Sequence, residues 1–293
     1  MRQFEEIRIE NTNLCPLNCI MCPRDKMTRP KGRMTFDTFV SVCNSINDYI
    51  SSPTVRIFDV HGFGEPLTDK EILTKIRFVK DSYPNVKIRM VTTLYVASEK
   101  MIDSLLVSGL DYIIISHYGA SESDYRIIHG GTAYARVRQN IEYLVKKNSK
   151  LGNPVNIVFE NLDLSNVLPI DIEHARKLSL KLWLENLKGY GMKIHNETAP
   201  HNWGSAYPFR KISSSTCSVV SGFRSRVLQV TWNGDVIPCC FDYNADVAFG
   251  NLLVDDLESI FSSEKYRCFI ARHKENDISG YPPCKFCHRC LIP

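Results

Sequence analysis

The chain predicts an α/β fold on a parallel sheet, followed by a small C-terminal α+β module. Three observations carry this expectation. Short apolar runs alternate with longer helical patterns through residues 1–190, which right-handed crossovers convert into a parallel sheet. Six such runs fit, enough for an incomplete barrel. After residue 216 the pattern changes, and a hairpin signal and a helix share the segment with seven of the eleven cysteines.

In chain order, strands are expected at Ile7–Ile9, Val55–Val60, Ile88–Thr92, Tyr112–Ser116, Val155–Phe159 and Lys181–Leu184. Helical spacing marks Thr35–Tyr49, Asp69–Asp81, Ser98–Ser108, Tyr134–Lys147 and Ile170–Ser179. Thr35-Phe-Asp-Thr and Ser98-Glu-Lys supply start signals for two of them. Residues 188–212 are rich in loop formers, and so long a connection suits an active-site edge. His201 and Trp203 within it suggest an ordered lid or substrate wall. Val227–Cys239 reads as a hairpin turning at Asn233-Gly234, and Leu253–Ile270 as a helix. The expected organisation is a barrel over 1–190, a connecting loop over 191–212 and a module over 213–293.

A length of 293 residues allows one large domain and a small one at about 150 residues per domain. Hydrophobic content of 44% and charged content of 23% are those of a globular protein. A net charge of +4 with scattered basic residues argues against a nucleic-acid partner. Lys146-Lys147 and Arg272-His273-Lys274 read as solvated helix faces. No run reaches the roughly eighteen apolar residues of a membrane helix, and Met1-Arg2-Gln3-Phe4-Glu5-Glu6 has no signal-peptide character. A cytoplasmic location with no membrane partner is expected. In a reducing compartment, many cysteines suggest metal binding or catalysis before disulfides.

The most informative residues are Cys15, Cys19 and Cys22, spaced C-x3-C-x2-C after the first strand. Three thiolates can hold three irons of a cubane and leave the fourth open to a small molecule. A structural zinc ion takes four ligands, and no fourth cysteine or histidine lies nearby in sequence. A zinc site or a disulfide pair is the competing reading.

This motif resembles the signature of the radical S-adenosylmethionine enzymes, and the likeness extends from Ile7 to Cys290. It implies a partial (β/α)6 barrel of TIM type and a 4Fe–4S cluster on Cys15, Cys19 and Cys22. S-adenosylmethionine would chelate the open iron and be cleaved by one electron to methionine and a 5′-deoxyadenosyl radical. An external reductant of flavodoxin or ferredoxin type would supply that electron. Catalytic groups of parallel barrels gather at the C-terminal ends of the strands. His61-Gly-Phe-Gly64-Glu65-Pro66 follows the second strand there. In the family a G-G-E-P-like turn at this point binds the cofactor's amino group; here Gly64, Glu65 and Pro66 keep its core and Phe63 departs from it. Val91-Thr92-Thr93-Leu94 stands where relatives often show T-N-G. Ser116 is expected to bind the ribose hydroxyls and Arg126 the methionine carboxylate, against a backbone-satisfied hydroxyl and a surface ion pair as the plainer readings. His117 or Tyr118 would face substrate or cap the strand.

The tail resembles the auxiliary-cluster modules of SPASM or twitch type appended to many of these enzymes. Cys217, Cys239, Cys284 and Cys287 form a plausible four-thiolate set for one auxiliary 4Fe–4S cluster, with Cys290 an alternative to Cys287. By spacing alone the pattern slightly favours zinc, because CxxC pairs are common zinc ligands, and the resemblance of the segment reverses this. Cys43 and Cys268 read as buried small hydrophobes. Cys240 follows a cluster ligand at the end of a hairpin and could point into the active site. A thiol S–H is weaker than a C–H, so Cys240 is the candidate hydrogen-atom donor, with packing or ligation the alternative.

The resemblance points to the branch that includes aminocyclitol dehydrogenases and aminoglycoside or peptide epimerases. Adjacent cysteines favour epimerisation. The alternatives are oxidation of a carbinol with the auxiliary cluster as electron acceptor, and peptide modification. The early position of Cys15 leaves no room for an N-terminal peptide-recognition domain, which favours a small molecule such as an amino sugar or aminocyclitol. Glu185, Asp242 and Asp246 are carboxylates that would suit a cationic substrate. A zinc-binding interaction module without catalysis is the reading from a different class.

Overall fold

The computed structural model describes residues 3–162, 164, 174–197, 203, 217–221, 226–285 and 287. Cys290, His201 and the expected helix start at Ile170 lie outside them. Among the described residues one nine-stranded sheet runs in the order β6-β5-β4-β3-β2-β1-β7-β8-β9. The strands are β1 Glu6–Ile9, β2 Ile57–Asp59, β3 Lys87–Thr92, β4 Tyr112–Ser116, β5 Asn156–Leu162, β6 Lys193–Glu197, β7 Val227–Val230, β8 Asp235–Ile237 and β9 Gly250–Asn251. β1 to β6 pair in parallel, as crossover helices require. β7 also pairs in parallel with β1, so the hairpin β7–β8 continues the barrel sheet.

The helices are α1 Phe36–Ser45, α2 Asn47–Ile50, α3 Ile72–Ser82, α4 Glu99–Leu106, α5 Glu122–His129, α6 Tyr134–Lys150, α7 His174–Lys188, α8 Ser218–Ser221, α9 Leu257–Ser262 and α10 Glu264–Lys274. Thr35 caps α1, accepting from Thr38 N, and Ser98 caps α4, accepting from Met101 N, as their sequence positions suggested. Strand residues alternate between two environments. Ile7, Ile9, Phe58, Ile88, Met90, Ile113 and Ile115 are buried in the hydrophobic core with Phe39, Val42, Ile76, Ile102 and Ile141 of the helices. The alternate positions mix polar groups with Ile57, Val91 and Ile114, and the strand register lines up Gln229, Arg8, Asp59 and Arg89 across β7, β1, β2 and β3.

The sixth strand is a correction. Lys181–Leu184 lies within α7, where Leu184 and Leu187 are buried while Leu182 is 63% exposed. That spacing belongs to a helix with one apolar face. The strand is instead Lys193–Glu197, inside the stretch expected to be a loop, and it pairs with β5 at the sheet edge. An edge strand has a partner on one side only, so its sequence need not carry an apolar run. The expected helix over Leu253–Ile270 is two helices, α9 and α10, separated at Ser263, whose hydroxyl accepts from Tyr266 N.

Candidate active site

The loop after β1 is tied down by its own main chain. Arg24 Nη1 donates to the carbonyls of Cys15 (2.9 Å) and Leu17 (2.8 Å). Cys22 N donates to Cys19 O at 3.0 Å. The end of α5 grips the same loop: Asn18 N donates to His129 O and Ile20 N to Ile128 O. Cys15, Cys19 and Cys22 are half-buried and line one cavity of about 470 Å³. Burial pushes all three thiols up, Cys22 to about 11, and the neighbouring cysteines push Cys19 further. Three adjacent half-buried thiols ionise together only if a strong cationic partner takes them, and an iron centre is such a partner. Among the described residues, no three His, Cys, Asp or Glu side chains converge as ligands of a single ion. A cubane, with one iron per thiolate, spreads its ligands more widely.

The turn after β2 forms the facing wall. Gly64 N donates to Thr12 O (3.1 Å) and Glu65 N to Leu14 O (2.9 Å), so this turn is bonded to the start of the cysteine loop. A Cβ on Gly64 would stand 2.4 Å from Thr12 O and 2.6 Å from Leu14 O. The close approach that requires glycine is therefore to the protein's own backbone. Glu65 is 2% exposed. Its Oε1 accepts from Thr92 Oγ1 (2.5 Å) and Leu67 N (3.2 Å), and its Oε2 from Thr93 N (2.8 Å) and Thr93 Oγ1 (2.6 Å). Burial pushes its carboxyl up while those donors pull it back. Thr92 and Thr93 thus have a purpose that their departure from T-N-G hid. Leu94, at the glycine position of that pattern, takes φ +57°.

On the third side, Ser116 Oγ (3.2 Å) and Tyr118 OH (2.8 Å) both donate to Glu160 Oε2. All three line the cavity. Tyr118 N donates to His129 Nε2 at 2.9 Å, and His129 Nδ1 lies 3.2 Å from Cys19 Sγ. Burial lowers His129 to about 3, so its ring is neutral.

The floor is the polar row set by the strand register. Asp59 is fully buried; Arg89 donates to it through Nε and Nη2, and His61 Nδ1 lies 2.9 Å from it. Burial alone would raise Asp59, but His61, Arg8 and Arg89 hold it well below the usual carboxylate range. Burial also works against the charge of Arg8, and Asp59 and Glu6 outweigh it. Arg8, Arg89, His61, Gln229 and Cys240 all line the cavity. Trp203 closes one side and donates to Met21 O at 2.7 Å. Of the expected lid, Trp203 is the one residue between 198 and 216 that is described.

The structure thus gathers Cys15, Cys19, Cys22, Gly64, Glu65, Ser116 and Cys240 around one space. Pro66 follows in a short 3-10 turn beside it. Arg126 is elsewhere, on the outer face of α5 with its side chain 63% exposed and paired to Glu122. His117 is buried in an aromatic cluster with Tyr125, Tyr134, Phe159 and Trp183, leaving the cavity to Tyr118. Glu185 pairs with Lys188 on the surface of α7. Asp242 is buried and accepts from Asp246 N and Val247 N; neither it nor Asp246 lines the cavity. Cys268 is exposed, against the expectation of a buried hydrophobe, whereas Cys43 is buried. Cys217, Cys284 and Cys287 are buried and Cys239 is half-buried, with Cys287 N donating to Cys284 O across the CxxC turn.

Residues 9–164 match the model of the radical SAM superfamily. The chain belongs to that superfamily. Residues 222–291 match an iron–sulfur cluster-binding domain of SPASM type, which takes in Cys239, Cys284 and Cys287 and leaves Cys217 just outside. This radical SAM protein is 22% identical to a tungsten-containing aldehyde ferredoxin oxidoreductase cofactor-modifying protein of Pyrococcus furiosus, over 95% of this chain and 86% of the relative. It is 19% identical to the S-adenosyl-L-methionine-dependent 2-deoxy-scyllo-inosamine dehydrogenase of Niallia circulans, over 99% and 94% of the two chains. Its fold superposes on BtrN in complex with AdoMet and 2-DOIA with a TM-score of 0.63 at 18% identity, covering 98% of this chain and 93% of that one. The cofactors of such an enzyme are a 4Fe–4S cluster, S-adenosylmethionine and auxiliary iron–sulfur centres. Among the described residues no helix is long and apolar enough to cross a membrane.

Signals for the residues that sequence reasoning missed do exist. Arg8 sits between Ile7 and Ile9, and Arg89 between Ile88 and Met90. A charged residue at alternate positions of a buried strand points into a barrel interior. His129 and Glu160 carried no comparable mark.

Proposed function

We propose that this radical SAM enzyme removes a hydrogen atom from an unactivated C–H of a small polar substrate and returns one to the opposite face, an epimerisation. Cys15, Cys19 and Cys22 would hold the cluster. Gly64, Glu65 and Pro66 would present a rigid turn to S-adenosylmethionine, and Ser116 a hydroxyl to its ribose. Glu65 acts by fixing that turn, since its carboxylate is engaged by Thr92, Thr93 and Leu67. The bound cluster and cofactor supply the hydrogen-abstracting radical. The observation that carries the reading is that Cys240 lines the same cavity as the three cysteines and Ser116.

A substrate carbon stripped on one face takes the hydrogen of the Cys240 thiol on the other. The thiyl left behind returns to thiol with one electron from an external flavodoxin- or ferredoxin-type reductant and one proton from solvent. An amino sugar or aminocyclitol fits the polar floor, and Glu160 is the cavity carboxylate available to an amine. Cys217, Cys239, Cys284 and Cys287 are the proposed ligands of the auxiliary 4Fe–4S cluster. Cys240→Ala should still release 5′-deoxyadenosine while forming no epimer. Unchanged epimer from that variant would refute the role of Cys240.

Dehydrogenation is the second reading, favoured by similarity along nearly the whole chain to the 2-deoxy-scyllo-inosamine dehydrogenase. In that reading an auxiliary iron–sulfur centre would take one electron from the substrate radical, and Glu160, which lines the cavity, would take the proton. Its product is two hydrogens lighter than the substrate, and an epimer has the same mass.

A further inference from the structure

We propose that His129 is a positioning residue for the cluster, a neutral imidazole whose Nδ1–H donates to the sulfur of Cys19. It rests on the reading of Cys19 as a ligand. The geometry assigns the tautomer. The Tyr118 amide can only donate, and it lies 2.9 Å from Nε2, so Nε2 is bare. A neutral ring then carries its proton on Nδ1, which lies 3.2 Å from Cys19 Sγ.

The ring has little freedom to turn away. His129 is 1% exposed. Tyr118 stacks on it at 5.4 Å with 6° between planes, and Tyr125 packs at 4.6 Å. The main chain of the same helix end accepts from Asn18 N and Ile20 N on either side of Cys19. Ring and loop are therefore held as one unit. A donor to a ligand sulfur draws off negative charge, which favours the reduced cluster and raises its potential. The reduced cluster is the form that starts the reaction.

Three substitutions separate the two bonds of the ring. His129→Phe keeps an aromatic ring and removes both. His129→Asn puts an amide N–H near the place of Nδ1 and keeps the donor to sulfur. His129→Gln reaches the place of Nε2 and keeps the acceptor for Tyr118. The measurement is the reduction potential of the anaerobically reconstituted full-length protein, followed by electron paramagnetic resonance. The signal that changes on adding S-adenosylmethionine belongs to this cluster.

We expect Phe and Gln to weaken reduction about tenfold, about 59 mV for a one-electron couple. Asn should stay near the native potential. A native potential in the iron-replete Phe variant would overturn the proposal. Where Phe loses iron, Asn against Gln decides, and equal behaviour of the two overturns it. Cys19→Ala should abolish the cofactor-responsive signal; if that signal survives, the assignment of Cys19 as a ligand is what fails.

Discussion

Replacing Gly64 by alanine tests whether the turn after β2 and the cysteine loop are one packed unit. The new methyl would meet Thr12 O at 2.4 Å and Leu14 O at 2.6 Å, both backbone atoms that no rotamer change can move aside. The two segments must separate by roughly half an ångström or more, since carbon and oxygen essentially never approach within about 3 Å. Overpacking of this kind costs about 1–3 kcal/mol. The bonds Gly64 N to Thr12 O and Glu65 N to Leu14 O weaken with it, by about 1 kcal/mol together. A total of about 2–4 kcal/mol follows. If the loop yields rather than the fold, the same free energy appears as roughly thirty- to thousand-fold weaker cofactor binding. Calorimetric titration of S-adenosylmethionine into anaerobically reconstituted protein, beside a thermal melt of the same preparation, reads both. Gly152→Ala is the control, because a Cβ there meets nothing within 4 Å. At φ +80° it should cost only about 1 kcal/mol and leave binding unchanged. Native affinity and native melting in Gly64→Ala would show that the turn and the cysteine loop are not one packed unit.

Asp59→Asn leaves the half-buried Arg8 and Arg89 with Glu6 as their remaining acidic partner, and should cost about 3 kcal/mol, the low end for a broken buried pair, in urea denaturation. The Asp59 carboxylate is depressed in the folded state, so its stabilisation is complete above the ordinary carboxylate range and is lost as pH falls below about 4. The native protein should therefore lose stability in acid more steeply than the variant. Arg126→Ala removes an exposed i,i+4 pair and should change stability by less than about 0.5 kcal/mol and cofactor affinity not at all. A tenfold weaker affinity would restore Arg126 as the carboxylate partner. Replacing Cys15, Cys19 and Cys22 together should halve the iron content from roughly eight to roughly four per chain. An unchanged iron count, or zinc in its place, would remove the cluster assignment.

Much of the fold was legible because buried parallel strands announce themselves. Ile88–Thr92 and Tyr112–Ser116 are apolar runs bounded by helical spacing, and both are strands. The failure at Lys181–Leu184 has a local cause. Four apolar-rich residues fit either element, and only Leu187 one turn further on reveals the helical face. β6 was hidden because Lys193-Ile-His-Asn-Glu197 has a single apolar residue. The site was legible where chemistry depends on short spacing or on strand ends, as with Cys15-x3-Cys19-x2-Cys22, Gly64-Glu65 and Ser116. It was hidden where chemistry depends on folding. His129 is 110 residues from Cys19 in sequence and reaches it only through the return of α5 to the cysteine loop. Arg126 lies three residues before His129 on that helix, yet faces solvent. Cys240 is the intermediate case, since its hairpin was legible but the parallel pairing of β7 with β1 was not.

In the proposed reaction Cys240 returns a hydrogen to the substrate within the cavity of the three N-terminal cysteines. Turnover of an aminocyclitol and amino-sugar panel in heavy water, read by mass spectrometry, tests it most directly. The expected product is an epimer carrying one deuterium at the inverted carbon, because the thiol proton exchanges with solvent before it is given up. An unlabelled epimer, or an unlabelled product two mass units lighter than substrate, would contradict it.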